Sequence, residues 1–196
     1  FIREWSEKLG VAPEQLIDAI STLLDSQRRT RLLFDRLTQI WSRWHRDGDT
    51  AVQQGYVPES RFAPKVARLR KQGEESGHWI SERGATGVMD AVAKWGVAQD
   101  DRIGFIEGLW QMLCDSNILI DLATGQGRQI DLDALRLEES NELYRCQVCR
   151  RTYARHPLHG ACLGWRCNGQ VRREAENPNN YALLTIDNQN ERLRPR

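Results

Sequence analysis

Apolar side chains recur along the first 47 residues at intervals of three and four, the spacing of one helix face. Leu16, Ile17, Ile20, Leu23 and Leu24 form one such stripe. Pro13 and Glu14 suit its first turn, where a missing N–H is tolerated and an acid meets the positive end of the helix dipole. Leu33, Leu37, Ile40, Trp41 and Trp44 form a second stripe with Arg29, Asp35, Arg36 and Arg43 opposite, and Asp47-Gly48-Asp49 stops it. Residues 48–60, which include Gly55 and Pro58, read as a loop. Residues 60–72 read as a basic helix with Arg61, Lys65, Arg68, Arg70 and Lys71, either solvated or in contact with nucleic acid.

A second organised unit spans residues 84–133. Val88, Met89, Val92 and Trp95 predict one helix. Asp100-Asp101 stand where they could cap the next, which carries Ile103, Ile106, Leu109, Trp110 and Leu113. Two short strands are expected at Asn117–Leu122 and Arg128–Leu132, with Thr124-Gly125-Gln126-Gly127 as a hairpin signal between them. Helix, turn, helix and hairpin is the order of a winged helix. Its second helix carries Asp100, Asp101, Glu107 and Asp115 against Arg102, so phosphates would repel it. The unit therefore reads as a packing or protein-contact module rather than a groove reader. The expected fold is mostly α with small β. It comprises a helical region over 1–75, a winged-helix-like domain over 76–143, and a zinc-ribbon-like module with a C-terminal connector over 144–196.

Composition adds little: 40% hydrophobic and 28% charged residues with a net charge of +1 across 196 residues is an ordinary balance that points to no partner. No apolar run approaches the roughly 20 residues of a membrane helix, and no signal-peptide core precedes the first helix, so a cytoplasmic protein without membrane contact is expected. The chain starts at Phe1 and stops at Arg194-Pro195-Arg196, which suggests a piece of a larger polypeptide.

The cysteines change the picture. Cys146 and Cys149 form a C-x2-C pair; twelve residues later Cys162 and Cys167 form a C-x4-C pair. Two thiolates two positions apart can reach one tetrahedral metal, and a second pair from another turn closes the shell. Sulfur donors select zinc or iron, and a closed set leaves no open position for catalysis, so a structural Zn2+ is expected. His156 or His159 could replace one thiolate, but both cysteines of the second pair are at hand. Gly164 and Gly169 flank that pair, where tight turns are needed. Cys114, on an apolar helix face, reads as a buried small hydrophobe.

Charge is lopsided around these cysteines. Arg145, Arg150, Arg151, Arg155, Arg166, Arg172 and Arg173 follow one another with no Asp or Glu between them. They outweigh the net charge of a zinc tetrathiolate, and Tyr153 and Trp165 among them could stack on bases. Arg150, Arg151, Arg155, Arg166, Arg172, Arg173, Tyr153 and Trp165 are therefore the candidate nucleic-acid contacts; the alternative is an arginine surface that neutralises thiolates and meets an acidic neighbour. The sequence has no phosphate-binding G-x-x-x-x-G-K-[ST] loop, G-x-S-x-G elbow or H-E-x-x-H motif, so no catalytic residue is assigned.

Several stretches resemble one family: Ile130-Asp131-Leu132-Asp133-Ala134-Leu135-Arg136-Leu137 entering the cysteine module, Cys146-Gln147-Val148-Cys149, Cys162 to Cys167 followed by Asn168-Gly169, then Asn179-Asn180-Tyr181 and Arg192-Leu193-Arg194. They are similar to a segment of large bacterial superfamily 2 DEAD/DEAH-box helicases of the anti-phage defence type, such as those of Druantia and DISARM systems, and of the related MrfA-type repair helicases. That family carries prolines near its cysteines where this chain has Gln147 and Arg166. The resemblance implies an accessory insertion that binds or positions DNA between two RecA-like lobes. ATP and Mg2+ would bind only in those lobes, and the partners would be DNA, other domains of the parent helicase or defence-system subunits. The rival expectation is a protein-interaction adaptor with a structural zinc site, anchored through Trp5, Trp41, Trp44 and Trp79 or, more simply, with those tryptophans packed in a core.

Overall fold

The computed structural model describes residues 1–28, 33–34, 67–70, 78–82, 84–121, 127–135 and 142–174. Among them helix predominates over strand, as the periodicity implies. Helix α1 covers Ile2–Leu9 and α2 covers Pro13–Arg28. Proline opens α2, and Leu16, Ala19, Ile20 and Leu23 supply its buried stripe at the expected spacing. Helix α3 covers Gly87–Lys94, capped by Thr86, whose hydroxyl accepts the Met89 N–H at 3.1 Å. Helix α4 covers Arg102–Asp115 and buries Phe105, Ile106, Leu109 and Leu113. A 3-10 turn, Gln99–Asp101, leads into it, and Asp101 takes the N-cap position without a side-chain hydrogen bond. The expected aspartate cap is thus present in place but not in bonding.

The helices share one core. The Trp5 ring meets Phe105 edge-on at 4.9 Å, and the Phe1 ring lies 5.2 Å from the same phenylalanine. Gly108 on α4 lets Phe1 sit against the backbone, since a Cβ there would lie 2.9 Å from the Phe1 ring. Trp79 packs edge-on against Trp110 at 5.0 Å. Trp5 and Trp79 are only 8% and 1% exposed, so of the two expectations for them core packing holds and interface anchoring does not. Trp41 and Trp44 lie outside the described residues.

Strands differ most from the periodicity. Leu33–Phe34 (β1) is a strand within the expected long helix; the rest of that helix beyond Arg28, and the loop at 48–60, fall outside the described residues. Arg68–Arg70 (β2) is likewise extended where a basic helix was expected, with Arg61 and Lys65 outside the described residues. In both cases a neighbouring backbone supplies hydrogen bonds that helical spacing alone does not reveal. β2 pairs in parallel with β3 (His78–Ile80). β4 (Leu119–Asp121) and β5 (Arg128–Asp131) form the expected antiparallel hairpin in the register Leu119 to Ile130. β1 adds in parallel to the other edge of β5, Leu33 opposite Ile130, and Ala67 exchanges two backbone hydrogen bonds with Arg128. Helix, helix, hairpin is therefore the observed order from α3 to β5, but segments from earlier in the chain complete the sheet.

The last unit is a small antiparallel sheet in the order β7-β6-β8, from Thr152–Tyr153, Tyr144–Cys146 and Val171–Arg173. No helix among the described residues is long and apolar enough to cross a membrane.

Candidate metal centre

Two loops of the β7-β6-β8 unit carry the four cysteines. Cys146 ends β6, and the following turn brings Cys149 back beside it: the Arg150 N–H donates to the Cys146 carbonyl at 3.1 Å. Cys162 and Cys167 come from the loop before β8, closed by the Cys167 N–H donating to the Gly164 carbonyl at 3.0 Å. The four sulfurs all lie within 4.8 Å of one another. Cys146 and Cys167 are 3.7 Å apart, Cys149 and Cys162 3.4 Å. Disulfides would need about 2.0 Å. Tetrahedral metal–sulfur bonds of about 2.3 Å would set sulfurs about 3.8 Å apart. The spacing fits a shared metal ion and not a cystine. His156 and His159 are not part of this group; His156 packs edge-on against Tyr144 at 5.2 Å.

The backbone is prepared for negative sulfur. The Val148 N–H points at Cys146 Sγ (3.4 Å) and the Gly164 N–H at Cys162 Sγ (3.2 Å). Burial opposes ionisation of Cys146, but the N–H groups of Cys149 and Val148 outweigh it and hold the thiol down at about 6. Burial pushes the Cys162 thiol up to about 12, with its thiol neighbours adding to the rise. Thiolates packed this closely would repel one another, and a cation held among them would offset that repulsion.

Two glycines make the packing possible. A Cβ on Gly169 would stand 2.5 Å from Cys146 Sγ and 2.9 Å from Val148 Cβ. A Cβ on Gly164 would meet Cys162 Sγ and Cys167 Cβ, both at 3.2 Å.

The structure reassigns Tyr153. Its side chain is 3% exposed, so its ring cannot stack on a base, contrary to the sequence expectation. Instead its hydroxyl lies 3.1 Å from Cys162 Sγ and accepts the Leu163 N–H at 3.0 Å. Burial, then the adjacent thiol, raises its own pKa and keeps the hydroxyl protonated as a donor to sulfur. Tyr153→Phe removes that donor and strands a buried N–H. Metal affinity is expected to fall about 10- to 100-fold, read by competition with a chromogenic chelator.

Lys94, which no sequence pattern marks, docks this centre on the helices. From the end of α3 its ammonium donates to the carbonyls of Cys162 (3.0 Å) and Gly164 (3.3 Å) while pairing with Asp90 at 2.7 Å. Arg151 reaches Ser26 and Arg155 reaches Asp18, so α2 also contributes. Cys114 is half-buried on α4, and burial raises its thiol pKa, in keeping with a packing role.

No protein-family model matches the chain, and comparison with curated proteins and with solved structures finds no match either. The centre's chemistry therefore rests on its own geometry. That geometry splits the arginines read as one surface. Acids from outside the acid-free stretch reach into it from distant positions: Glu142 meets Arg173 at 3.1 Å, Glu174 meets Arg145 at 3.0 Å, and Asp18 meets Arg155 at 3.4 Å. Arg150, Arg166 and Arg172 are exposed and have no acidic partner among the described residues. Trp165 is 47% exposed, with the Arg166 guanidinium 5.2 Å from its ring centre. The depression between α1 and α4 is lined by Glu4, Asp100, Asp101 and Asp115 with Lys8, a poor surface for phosphates.

Proposed function

We propose that Cys146, Cys149, Cys162 and Cys167 hold one structural zinc ion, and that the surface around it grips nucleic acid as an accessory segment of an ATP-dependent DNA helicase of the anti-phage defence type. Zinc suits a closed thiolate set with no position left for chemistry. Its binding would stabilise strands of two and three residues that have little core of their own. The helicase part of the reading rests on the family resemblance in the cysteine module, and any ATP-driven step belongs to lobes outside this chain. In the same reading, α3, α4 and the β4–β5 hairpin act as a winged-helix-like packing unit, because α1 covers part of α4 and the α1–α4 depression is acidic.

One observation carries the nucleic-acid reading: Arg150, Arg166 and Arg172 stay exposed without acidic partners among the described residues, and Trp165, with Arg166 over its ring, is exposed too. Each phosphate they neutralise releases counterions, so log affinity should fall linearly with log salt. Binding of a labelled oligonucleotide, followed by fluorescence anisotropy across a salt series, tests this. Replacing Arg150, Arg166 and Arg172 together should make the slope shallower by about 2 to 3, at roughly 0.7–0.9 per contact. Binding whose strength is indifferent to salt, or a slope unchanged in the triple variant, would overturn the reading.

A further inference from the structure

The exposed indole sits where the metal centre meets solvent. Trp165 lies in the loop between Cys162 and Cys167 and is 47% exposed, whereas Trp5, Trp79 and Trp95 are at most 8% exposed. The other cysteine loop carries Val148, 71% exposed, followed closely by Arg150. Because all four sulfurs lie within 4.8 Å, these two loops flank one centre. Arg150 and Arg166 also hold left-handed backbone, φ 63° and 55°, where glycine would be less strained. Arginine stands at both positions nonetheless, with no acid to pair with among the described residues.

Building on the nucleic-acid reading above, we propose that Trp165 makes this surface select single strands over duplex by stacking on an unpaired base, while Arg150 and Arg166 hold the adjoining phosphates. Phosphates are offered by single strands and duplexes alike, so arginine contacts alone would not distinguish them. A base face is different: within a duplex each is covered by its neighbours, and only an unpaired base can lie on an indole. The guanidinium at 5.2 Å from the Trp165 ring fits a stack in which arginine, indole and base share their faces. Groove reading would instead need side chains projecting from a helix or ribbon, and these residues sit in loops. The stacking is tolerant of sequence because every base has a π-face.

The test uses the full 196-residue chain, zinc-loaded, with three labelled probes of equal length: oligothymidylate, a duplex, and an abasic single strand. Oligothymidylate should bind about tenfold tighter than the abasic strand, the lower range of one stacked base. Trp165→Ala should erase that difference by weakening oligothymidylate binding, and Trp165→Phe should retain most of it. Equal zinc content in all variants checks that the centre is intact. Binding to none of the probes would overturn the nucleic-acid reading itself. Equal binding to all three, unaffected by Trp165→Ala, would leave that reading standing and overturn this proposal. So would an acidic peptide that outcompetes oligothymidylate and depends on Trp165, since it would mark a protein partner.

Discussion

Replacing Gly169 with alanine is expected to abolish metal binding. The added methyl would stand 2.5 Å from Cys146 Sγ and 2.9 Å from Val148 Cβ, well inside any real carbon contact. Neither neighbour can yield cheaply. Cys146 Sγ receives the Val148 N–H and would be fixed further by a shared ion, and Val148 Cβ is rigid to its own backbone. Overpacking a close-fitting site costs about 1–3 kcal/mol where side chains can shift, and more where they cannot. Here relief means moving a ligand by more than the roughly 0.2 Å that metal–sulfur bonds tolerate. Gly164→Ala is the graded control: its contacts at 3.2 Å are tight but not impossible, so this variant should hold metal more weakly rather than lose it. Elemental analysis of the two purified variants checks the ranking. Full metal occupancy in Gly169→Ala would contradict the arrangement of the two loops.

Metal removal should unfold residues 142–174 and leave the helical core standing. The cysteine module buries few apolar side chains of its own, chiefly Tyr153, Leu158, Leu163 and Val171, and its strands are two or three residues long. Structural zinc sites contribute apparent free energies of about 10–16 kcal/mol near neutral pH, far more than such a core. The core around Phe105, Leu109 and Leu113 has no such dependence; it rests on Trp5, Trp95 and the α2 stripe. Hydrogen exchange after treatment with a strong chelator under reducing conditions separates the two. Amides of Tyr144–Cys146 and Val171–Arg173 should lose protection, while those of α2 and α4 keep theirs. The tether from Lys94 to the Cys162 and Gly164 carbonyls should not rescue the module, because those carbonyls belong to the loop that a bound metal would shape. Unchanged protection in 142–174 after verified metal loss would show that the module folds by itself.

Cysteine spacing made the centre legible in the sequence, because ligand geometry limits which spacings can close a tetrahedron. The starts of α2 and α4 and most of the buried stripes of α2, α3 and α4 were legible for a similar reason, since a helix that buries one face repeats at three and four; Ile17 and Ile103, read onto those stripes, are instead exposed. The β4–β5 hairpin followed from its two short runs. What could not be read depends on partners distant in sequence. Leu33–Phe34 and Arg68–Arg70 are strands because other strands lie alongside them, and no local pattern records that neighbour. Tyr153 looked like a stacking residue because its neighbours in sequence are cationic, but its place on β7 turns the hydroxyl to Cys162. The acid-free run of arginines looked like one surface because charge was counted along the chain. In space, Asp18, Glu142 and Glu174 enter from outside that run.

The proposed metal centre stands or falls with these four thiols sharing one zinc ion. Metal content of the chain, purified under reducing conditions without added metal, measured beside its thiol reactivity, tests this most directly. One zinc per chain is expected, with Cys146, Cys149, Cys162 and Cys167 shielded from a thiol reagent until a chelator is added. A chain that carries no zinc and whose four cysteines react at once would contradict it.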